Sequence, residues 1–199
     1  FAVFANSGTK VALQPILKVE TSQGKILEQY NPSGKSVYVE TSRDLLPSVD
    51  HPEKVLSPGT AFLISHILHD NNARADSFGT SSVLNVRGKT VSVKTGTTNN
   101  LRDNWTIGYT RDRLVSVWVG NNDNTPMNPG VTSGLTGASP IWNKVVKATL
   151  EGEPNVEMEK PEGVFVKYDS KCGRSEVFLK GSNVPETLCP KDKDDDKDK

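Results

Sequence analysis

Residues 94–98, Lys94-Thr95-Gly96-Thr97-Thr98, carry the side chains of this sequence best suited to binding a small anionic group. They follow Thr90-Val91-Ser92-Val93, a β-branched run that predicts a strand. The lysine supplies a fixed positive charge beside a carboxylate, and the hydroxyls of Thr95 and Thr97 can donate charge-assisted hydrogen bonds to it. Because Gly96 has no Cβ, a ligand can approach the strand edge as an extra strand. Side chains of these types at the end of a strand are suited to holding an anionic group.

Neighbouring strands must position this motif. Strands are predicted at Thr90–Thr98, Asn104–Tyr109 and Leu114–Gly120. The linkers 99–102 and 111–113 are so short that the three strands must pair antiparallel. We interpret Arg102, Asn104 and Trp105 as structural, and we expect Trp105 and Trp118 to pack in the core or under the sheet.

A helix is predicted after residue 56, because Ser57 can cap it and Pro58 suits its first turn. It is expected to run to about Ala75. The residues predicted to form its apolar face are Phe62, Leu63 and Ile67, with Ile64 and Leu68 beside them. Before it, residues 11–40 place apolar runs around Gln23-Gly24-Lys25, which predicts a β-hairpin.

Ser139-Pro140 repeats the cap and proline and predicts a second helix ending at Gly152. Ile141, Val145 and Ala148 are expected on its apolar face, and Trp142 in the core. Residues 121–138 are rich in Asn, Gly and Pro and predict a surface loop. Two helices against an antiparallel sheet predict an α+β architecture.

Composition excludes several classes of protein. Lys and Arg together number 24, as do Asp and Glu, so nothing electrostatic points to nucleic acid or an anionic membrane as partner. The longest near-apolar stretch, 61–64, is far shorter than the roughly 20 residues of a membrane span. The 199 residues suffice for one domain or for a domain with a small appendage. No signal peptide is recognisable, and the start at Phe1 leads us to expect a fragment.

Both cysteines, Cys172 and Cys189, lie near the end of the chain. Two free thiols remain the alternative, but clustering in a small, apolar-poor segment favours a disulfide and hence an oxidising compartment. Beyond Glu151 the composition changes. We expect a charged linker at 153–161, a β-like Cys-containing appendage within 153–190, and a disordered charged tail at 191–199.

Four further segments make a family resemblance visible. In order, these are 1–6 (Phe-Ala-Val-Phe-Ala-Asn), 72–75 (Asn-Ala-Arg-Ala), 102–110 (Arg-Asp-Asn-Trp-Thr-Ile-Gly-Tyr-Thr) and 134–142 (Gly-Leu-Thr-Gly-Ala-Ser-Pro-Ile-Trp). Together with the Lys-Thr-Gly motif, residues 1–150 resemble the C-terminal half of the transpeptidase domain of class A, bifunctional penicillin-binding proteins. The resemblance implies a partial serine β-lactamase/penicillin-binding transpeptidase-like fold, with residues 1–152 as the C-terminal part of the penicillin-binding domain.

The same resemblance implies a function. The parent would be an extracytoplasmic peptidoglycan synthase, anchored by an upstream membrane helix, that cross-links stem peptides as a serine D-Ala-D-Ala transpeptidase, with a glycosyltransferase domain upstream. Lys94 and the backbone N–H of Thr97, as an oxyanion-hole donor, would act in catalysis. Residues 94–98, including Thr98, would bind the carboxylate of stem peptides or β-lactams. No cofactor, metal, nucleic acid or membrane contact is expected of this fragment, whose partner would be the missing N-terminal part of its own domain.

The nucleophile of that chemistry is not recognisable here. Ser7-Gly8-Thr9-Lys10 and Ser22-Gln23-Gly24-Lys25 match Ser-x-x-Lys, but both contain glycine, whereas the chemistry needs a helix that places lysine one turn from serine. No Ser-x-Asn sequence occurs. We therefore expect one wall of an active site without its serine, and little activity from the fragment alone.

Other interpretations remain open. A D-Ala-D-Ala carboxypeptidase or a serine β-lactamase also uses Lys-Thr-Gly. A non-catalytic extracytoplasmic binding module of the same fold is the alternative from another class. His66 and His69 have a spacing that can bind metal, but no third histidine or cysteine has suitable spacing, so we interpret them as solvated helix residues.

Overall fold

The computed structural model describes residues 1–11, 15–29, 37–38, 52–131 and 135–189. By contacts the chain divides into two compact units, one formed by Thr9–Val55 and the other by Phe1–Gly8 with Leu56–Lys199. The predicted division at residues 152 and 190 stays a prediction, and the predicted disordered tail lies outside the described residues.

The smaller unit is built from short strands. Strands β1 (Thr9–Lys10) and β5 (Glu53–Lys54) pair antiparallel, and β2 (Lys18–Glu20), β3 (Ile26–Gln29) and β4 (Val37–Tyr38) form an antiparallel sheet in that order. The β2–β3 turn closes where Gly24 N–H donates to the carbonyl of Thr21. The predicted hairpin is therefore present in the described part of 11–40, with a third strand added.

The larger unit contains a three-stranded antiparallel sheet in the order β6-β7-β8. Its elements, in chain order, are α1 (Ala2–Ala5), α2 (Pro58–His69), α3 (Ala75–Phe78), β6 (Ser92–Thr97), β7 (Asp103–Tyr109), β8 (Leu114–Gly120), α4 (Ala138–Thr149), β9 (Val164–Asp169) and β10 (Arg174–Leu179). The three predicted sheet strands are confirmed to within two residues at each end. Gly96 lies opposite Trp105, which lies opposite Trp118.

Helix α4 packs on one face of this sheet. Trp142 on this helix is fully buried, as predicted. Together with Val146 and Leu150 it belongs to the main apolar cluster, which also contains Val93 of β6. The predicted apolar face is wrong, because Ile141 and Val145 are exposed.

The start of α4 also differs from the prediction, because the helix begins at Ala138 and Ser139 does not cap it. The Ser139 hydroxyl is buried instead, 2.9 Å from Oγ1 of Thr106 on β7. The cap comes from the sheet, since Oδ1 of Asn104 accepts a 2.8 Å hydrogen bond from the N–H of Ala138.

Helix α2 begins as predicted, with Ser57 Oγ accepting from the N–H of Thr60 at 3.1 Å. It ends at His69 and not near Ala75, because the Asp70 carboxylate turns the chain by accepting from the N–H groups of residues 72 and 73. Its predicted apolar face is confirmed in part. Of the predicted residues only Ile67 is exposed, and the others are half-buried, namely Phe62, Leu63, Ile64 and Leu68. The fully buried positions are the small residues Gly59, Ala61 and Ser65.

Trp105 and Trp118 are not in the core. They form a cross-strand pair on β7 and β8, and about 40% of each side chain's surface is exposed. Strand alternation places them on the face opposite α4, because the neighbouring Asn104 and Thr106 face that helix.

The last two strands form a hairpin that a disulfide links to the residues that follow it. β9 and β10 pair antiparallel over six residue pairs, and a disulfide joins Cys172 to Cys189, as predicted. This hairpin packs on α2, since a Cβ at Gly59 would lie 2.5 Å from Cδ2 of Leu179. The mixed helix and antiparallel sheet confirm the α+β class. Among the described residues no helix is long and apolar enough to cross a membrane.

Candidate functional site

The Lys-Thr-Gly motif lies on β6, an edge strand that pairs only with β7 in the described part of the chain. The N–H of Thr98 donates to the carbonyl of Asp103 at 3.1 Å, so the backbone groups of Thr98 point toward β7. Because antiparallel pairing alternates, the N–H of Thr97 and the carbonyl of Thr95 point away from β7. The N–H assigned to the oxyanion hole thus faces the open edge of the sheet.

The Lys94 side chain is exposed and folds back along this edge. Its Nζ donates a 2.5 Å hydrogen bond to the carbonyl of Thr95. Lys94 and Gly96 project from the same face of β6, and no atom beyond its chain neighbours lies within 4 Å of a Cβ built on Gly96. The open space at Gly96 and the ammonium of Lys94 are therefore neighbours, as a site for an extended anionic ligand requires.

The threonines of the motif differ in their surroundings. Thr95 and Thr97 alternate with Lys94, so their side chains leave the opposite face of the strand. The hydroxyl of Thr98 accepts from the N–H of Asp103 at 3.1 Å. Thr98 Oγ1 thus holds the β6–β7 connection, and the predicted role of Thr98 in ligand binding stays a prediction.

A rim follows the motif. Asn100 and Leu101 both have positive φ angles of 60° and 55°, a strained conformation for side-chain-bearing residues. The carbonyl of Leu101 accepts from the N–H of Met127 at 2.9 Å, and the Arg102 guanidinium donates to the carbonyl of Asn124. The loop at 121–127 is therefore held beside the end of β6. The sequence did not predict this contact, since a run of Asn and Gly carries no signal of what it touches.

Helix α2 supports β6 from the face that carries Lys94. The hydroxyl of Ser92 donates a 2.7 Å hydrogen bond to the carbonyl of Ser65 on α2, and Ser65 Oγ lies 3.0 Å from the phenol oxygen of Tyr109. Burial raises the pKa of Tyr109, so its phenol stays neutral in this contact. These contacts fix the strand two residues before Lys94.

Neither Ser-x-x-Lys sequence has the helical geometry of a nucleophile. Ser7 has a positive φ of 52° in the turn after α1, and Lys10 lies in β1. Ser22 and Lys25 lie in the exposed β2–β3 turn. At both of these sequences, which lie among the described residues, the serine and the lysine are not one turn apart on a helix.

Comparison with known proteins identifies relatives of this chain. It is 26% identical over 90% of its length to penicillin-binding protein 1A of Neisseria lactamica, and 28% identical over 88% to penicillin-binding protein 1A of Pseudomonas aeruginosa. The aligned part is 20% and 25% of those proteins, so the chain spans about a fifth to a quarter of the relatives it matches. No family model matches the chain.

Solved structures show the same fold. Penicillin-binding protein 1A from Haemophilus influenzae matches with a TM-score of 0.73 at 24% identity, over 94% of this chain and 32% of that one. The PonA1 protein from Mycobacterium tuberculosis, solved with penicillin V, matches with a TM-score of 0.54 at 22% identity, over 80% of this chain and 39% of that one.

These likenesses define the class: the chain has a partial penicillin-binding transpeptidase fold. More narrowly, the resemblance to the transpeptidase domain of class A penicillin-binding proteins is confirmed, because the relatives are penicillin-binding proteins 1A and align through their transpeptidase region.

Proposed function

We propose that this chain forms one wall of the active site of a serine D-Ala-D-Ala transpeptidase that cross-links peptidoglycan stem peptides. The observation that carries the proposal is the arrangement on β6. The Lys94 ammonium, the space at Gly96 and the outward N–H of Thr97 all lie along one open strand edge.

The chemistry is two acyl transfers. A serine, supplied by a part of the natural protein other than this motif, attacks the carbonyl of the D-Ala-D-Ala bond, and the terminal D-Ala leaves as the amine. The amine of a second stem peptide then attacks the acyl-serine ester and releases the serine. In both steps negative charge develops on the carbonyl oxygen, and the N–H of Thr97 would stabilise it.

The remaining motif residues bind and orient the substrate. Lys94 would attract the terminal carboxylate. The hydroxyls of Thr95 and Thr97 leave the opposite face of β6, so they would donate hydrogen bonds to this carboxylate from around the open edge of the strand. An extended peptide would add to the free edge of β6, with Gly96 leaving room for its backbone. The hydrogen bonds that join Leu101 and Arg102 to the 121–127 loop would fix the end of the strand for this recognition.

The similarity to penicillin-binding proteins 1A supports a proposal for the setting of the natural protein. We propose an extracytoplasmic location, at the outer face of the membrane or in the periplasm, with a membrane anchor and a glycosyltransferase domain elsewhere in the natural protein. The Cys172–Cys189 disulfide supports an oxidising compartment. The partners would be stem peptides, β-lactams and the rest of the transpeptidase domain.

The test is covalent labelling with fluorescent penicillin, read on a denaturing gel. The natural protein that contains this chain should be labelled, and Lys94→Ala should lower the acylation rate strongly while the unfolding midpoint stays unchanged. The matched control is Lys144→Ala, which removes an exposed lysine on α4, away from the motif. Near-normal acylation of Lys94→Ala would remove Lys94 from the site.

Other outcomes separate the alternatives. A label on the isolated 21.7 kDa chain would place the nucleophile within it and contradict the one-wall model. Absence of label on the intact protein would indicate a binding module without acylation. Rapid loss of label with release of hydrolysed penicillin would indicate a β-lactamase, and release of D-Ala without cross-linked product would indicate a carboxypeptidase.

A further inference from the structure

A cavity of about 240 Å³ lies beside α2 and the first residue of β6. Its walls include His66 and His69 from α2, Thr90 and Ser92 from the start of the sheet, and Glu157 with Met158. Two imidazole side chains, a carboxylate side chain and a thioether side chain therefore line one small space. Imidazole and carboxylate groups are common ligands of zinc ions.

The two histidines are held in place relative to each other. Their ring centroids lie 5.1 Å apart, and the His66 ring stacks on Phe62 with an interplanar angle of 13°. Both side chains are half-buried, in contrast to the solvated residues expected from sequence. Fixed rings lose little rotamer entropy when they ligate an ion, so the pair is preorganised.

The segment carrying Glu157 is fixed on both sides. Upstream, Oδ1 of Asn155 accepts from the N–H of Thr90 at 2.7 Å, and its amide donates to Oγ1 of Thr90 at 3.1 Å. Downstream, Glu159 pairs with Arg111 at 2.7 Å. The short stretch between these anchors keeps Glu157 and Met158 at the cavity.

The charges around the cavity favour a cation. The carboxylates of Asp70 and Glu176 lie close enough to the His66 ring to interact with it electrostatically, so they place negative charge beside the cavity.

From this arrangement we propose that His66 and His69 bind a divalent transition-metal ion, with Zn²⁺ as the probe, and that Glu157 supplies the carboxylate ligand. In the described residues the two imidazoles and a carboxylate do not form a group whose ligand atoms all lie within 4.8 Å of one another. The exposed Glu157 side chain must therefore rotate toward the rings when the ion binds. The proposal is independent of the function proposed for β6.

The described residues hold one competing cluster, formed by Asp169, Cys172 and Cys189. Both of its sulfur atoms are joined in the disulfide, so it offers no thiolate to an ion. It accounts for no metal binding while the protein is oxidised.

Calorimetric titration of the oxidised 199-residue chain with ZnCl₂ tests the proposal. His66→Gln and His69→Gln should each weaken Zn²⁺ binding by roughly 10–100-fold or more, and Glu157→Gln should weaken it to a smaller extent. The matched control is His51→Gln, which removes the remaining histidine of the chain and should leave the affinity unchanged.

A second measurement guards against misfolded variants. In the unmodified chain, Zn²⁺ should shift the imidazole NMR signals of two histidines together and leave the third unmoved. Equal Zn²⁺ affinity in all three histidine variants, or imidazole signals that do not respond to the ion, would overturn the site. An unchanged affinity in Glu157→Gln would remove Glu157 as a ligand.

Discussion

The hydroxyl of Ser92 on β6 donates a 2.7 Å hydrogen bond to the backbone carbonyl of Ser65 on α2. Both side chains are about 1% exposed, so this bond is shielded from water. Ser65 in turn contacts Tyr109 on β7. One helix residue thus ties together the two strands that position Lys94, and the placement of the motif depends on α2 as much as on the sheet.

Ser92→Ala should therefore destabilise the protein by about 1–2 kcal/mol, because the buried carbonyl of Ser65 loses its side-chain donor. Chemical denaturation measures the change. Ser116→Ala on β8, an exposed serine in the same sheet, serves as the control and should change the free energy of unfolding by less than about 0.5 kcal/mol. Equal effects of the two substitutions would contradict the role of Ser92.

Gly108→Ala should destabilise by about 1–3 kcal/mol, because the added Cβ would lie 2.2 Å from Cζ2 of the buried Trp142. Gly96→Ala is the matched control on the neighbouring strand. It meets nothing within 4 Å and should leave the unfolding midpoint close to that of the unmodified protein. Thermal unfolding of the two variants side by side checks the prediction. Similar midpoints would mean that the indole does not pack against β7 as described.

Asn104→Ala should cost about 1–2 kcal/mol, since it removes the acceptor that caps the first N–H of α4 and leaves a buried gap. The cost should fall on α4, with faster amide exchange in its first turn. Asn85→Ala provides an exposed comparison and should leave that exchange unchanged. Slow exchange in the first turn of the Asn104 variant would exclude the cap.

Reduction of the Cys172–Cys189 disulfide should loosen the β9–β10 hairpin. On the loop-entropy model a bond across 17 residues stabilises by about 3 kcal/mol. Amide exchange in β9 and β10 should accelerate under reductant. The Cys172→Ser, Cys189→Ser double variant should exchange fast with and without reductant. A reductant effect that persists in this variant would have another source.

Acid should selectively weaken the same hairpin. Thr187 Oγ1 and the N–H groups of Leu188 and Lys171 donate to the Asp169 carboxylate, and they lower its pKa below the ordinary value. A depressed folded pKa stabilises the protein above the unfolded value of about 3.9, and this contribution is lost as the pH falls through the folded pKa.

In Asp169→Asn the free energy of unfolding should therefore fall less steeply as the pH is lowered below about 4. Denaturation at a series of pH values measures this slope. Asp112→Asn, at an exposed turn, is the control. Its free energy of unfolding should depend on pH as steeply as that of the unmodified protein. If Asp169→Asn lost stability at low pH as steeply as the unmodified protein, other carboxyl groups would be responsible for the loss.

Local signals predicted the element pattern well. The cap and proline at Ser57-Pro58 placed the start of α2, and short linkers placed three antiparallel strands, because these features depend on residues close in sequence. The end of α2 was missed, since the carboxylate of Asp70 competes for N–H groups that a longer helix would need.

The faces of the helices could not be derived from spacing alone. On α4 two apolar sets have helical spacing. The structure buries the set with Trp142 and Val146, and exposes Ile141 and Val145. Polar Asn143 is buried because its amide donates to the carbonyl of Val83, an acceptor 60 positions away in the chain.

By itself the sequence determined the motif, its strand and the family resemblance, because residue types and near-neighbour spacing carry that information. Tertiary structure alone decided which backbone groups of β6 face outward and that Trp105 and Trp118 lie on the surface. It also decided that His66 and His69 share a cavity with Glu157. These outcomes depend on pairing register and on packing between distant segments, where the partner of each group is set by the whole fold.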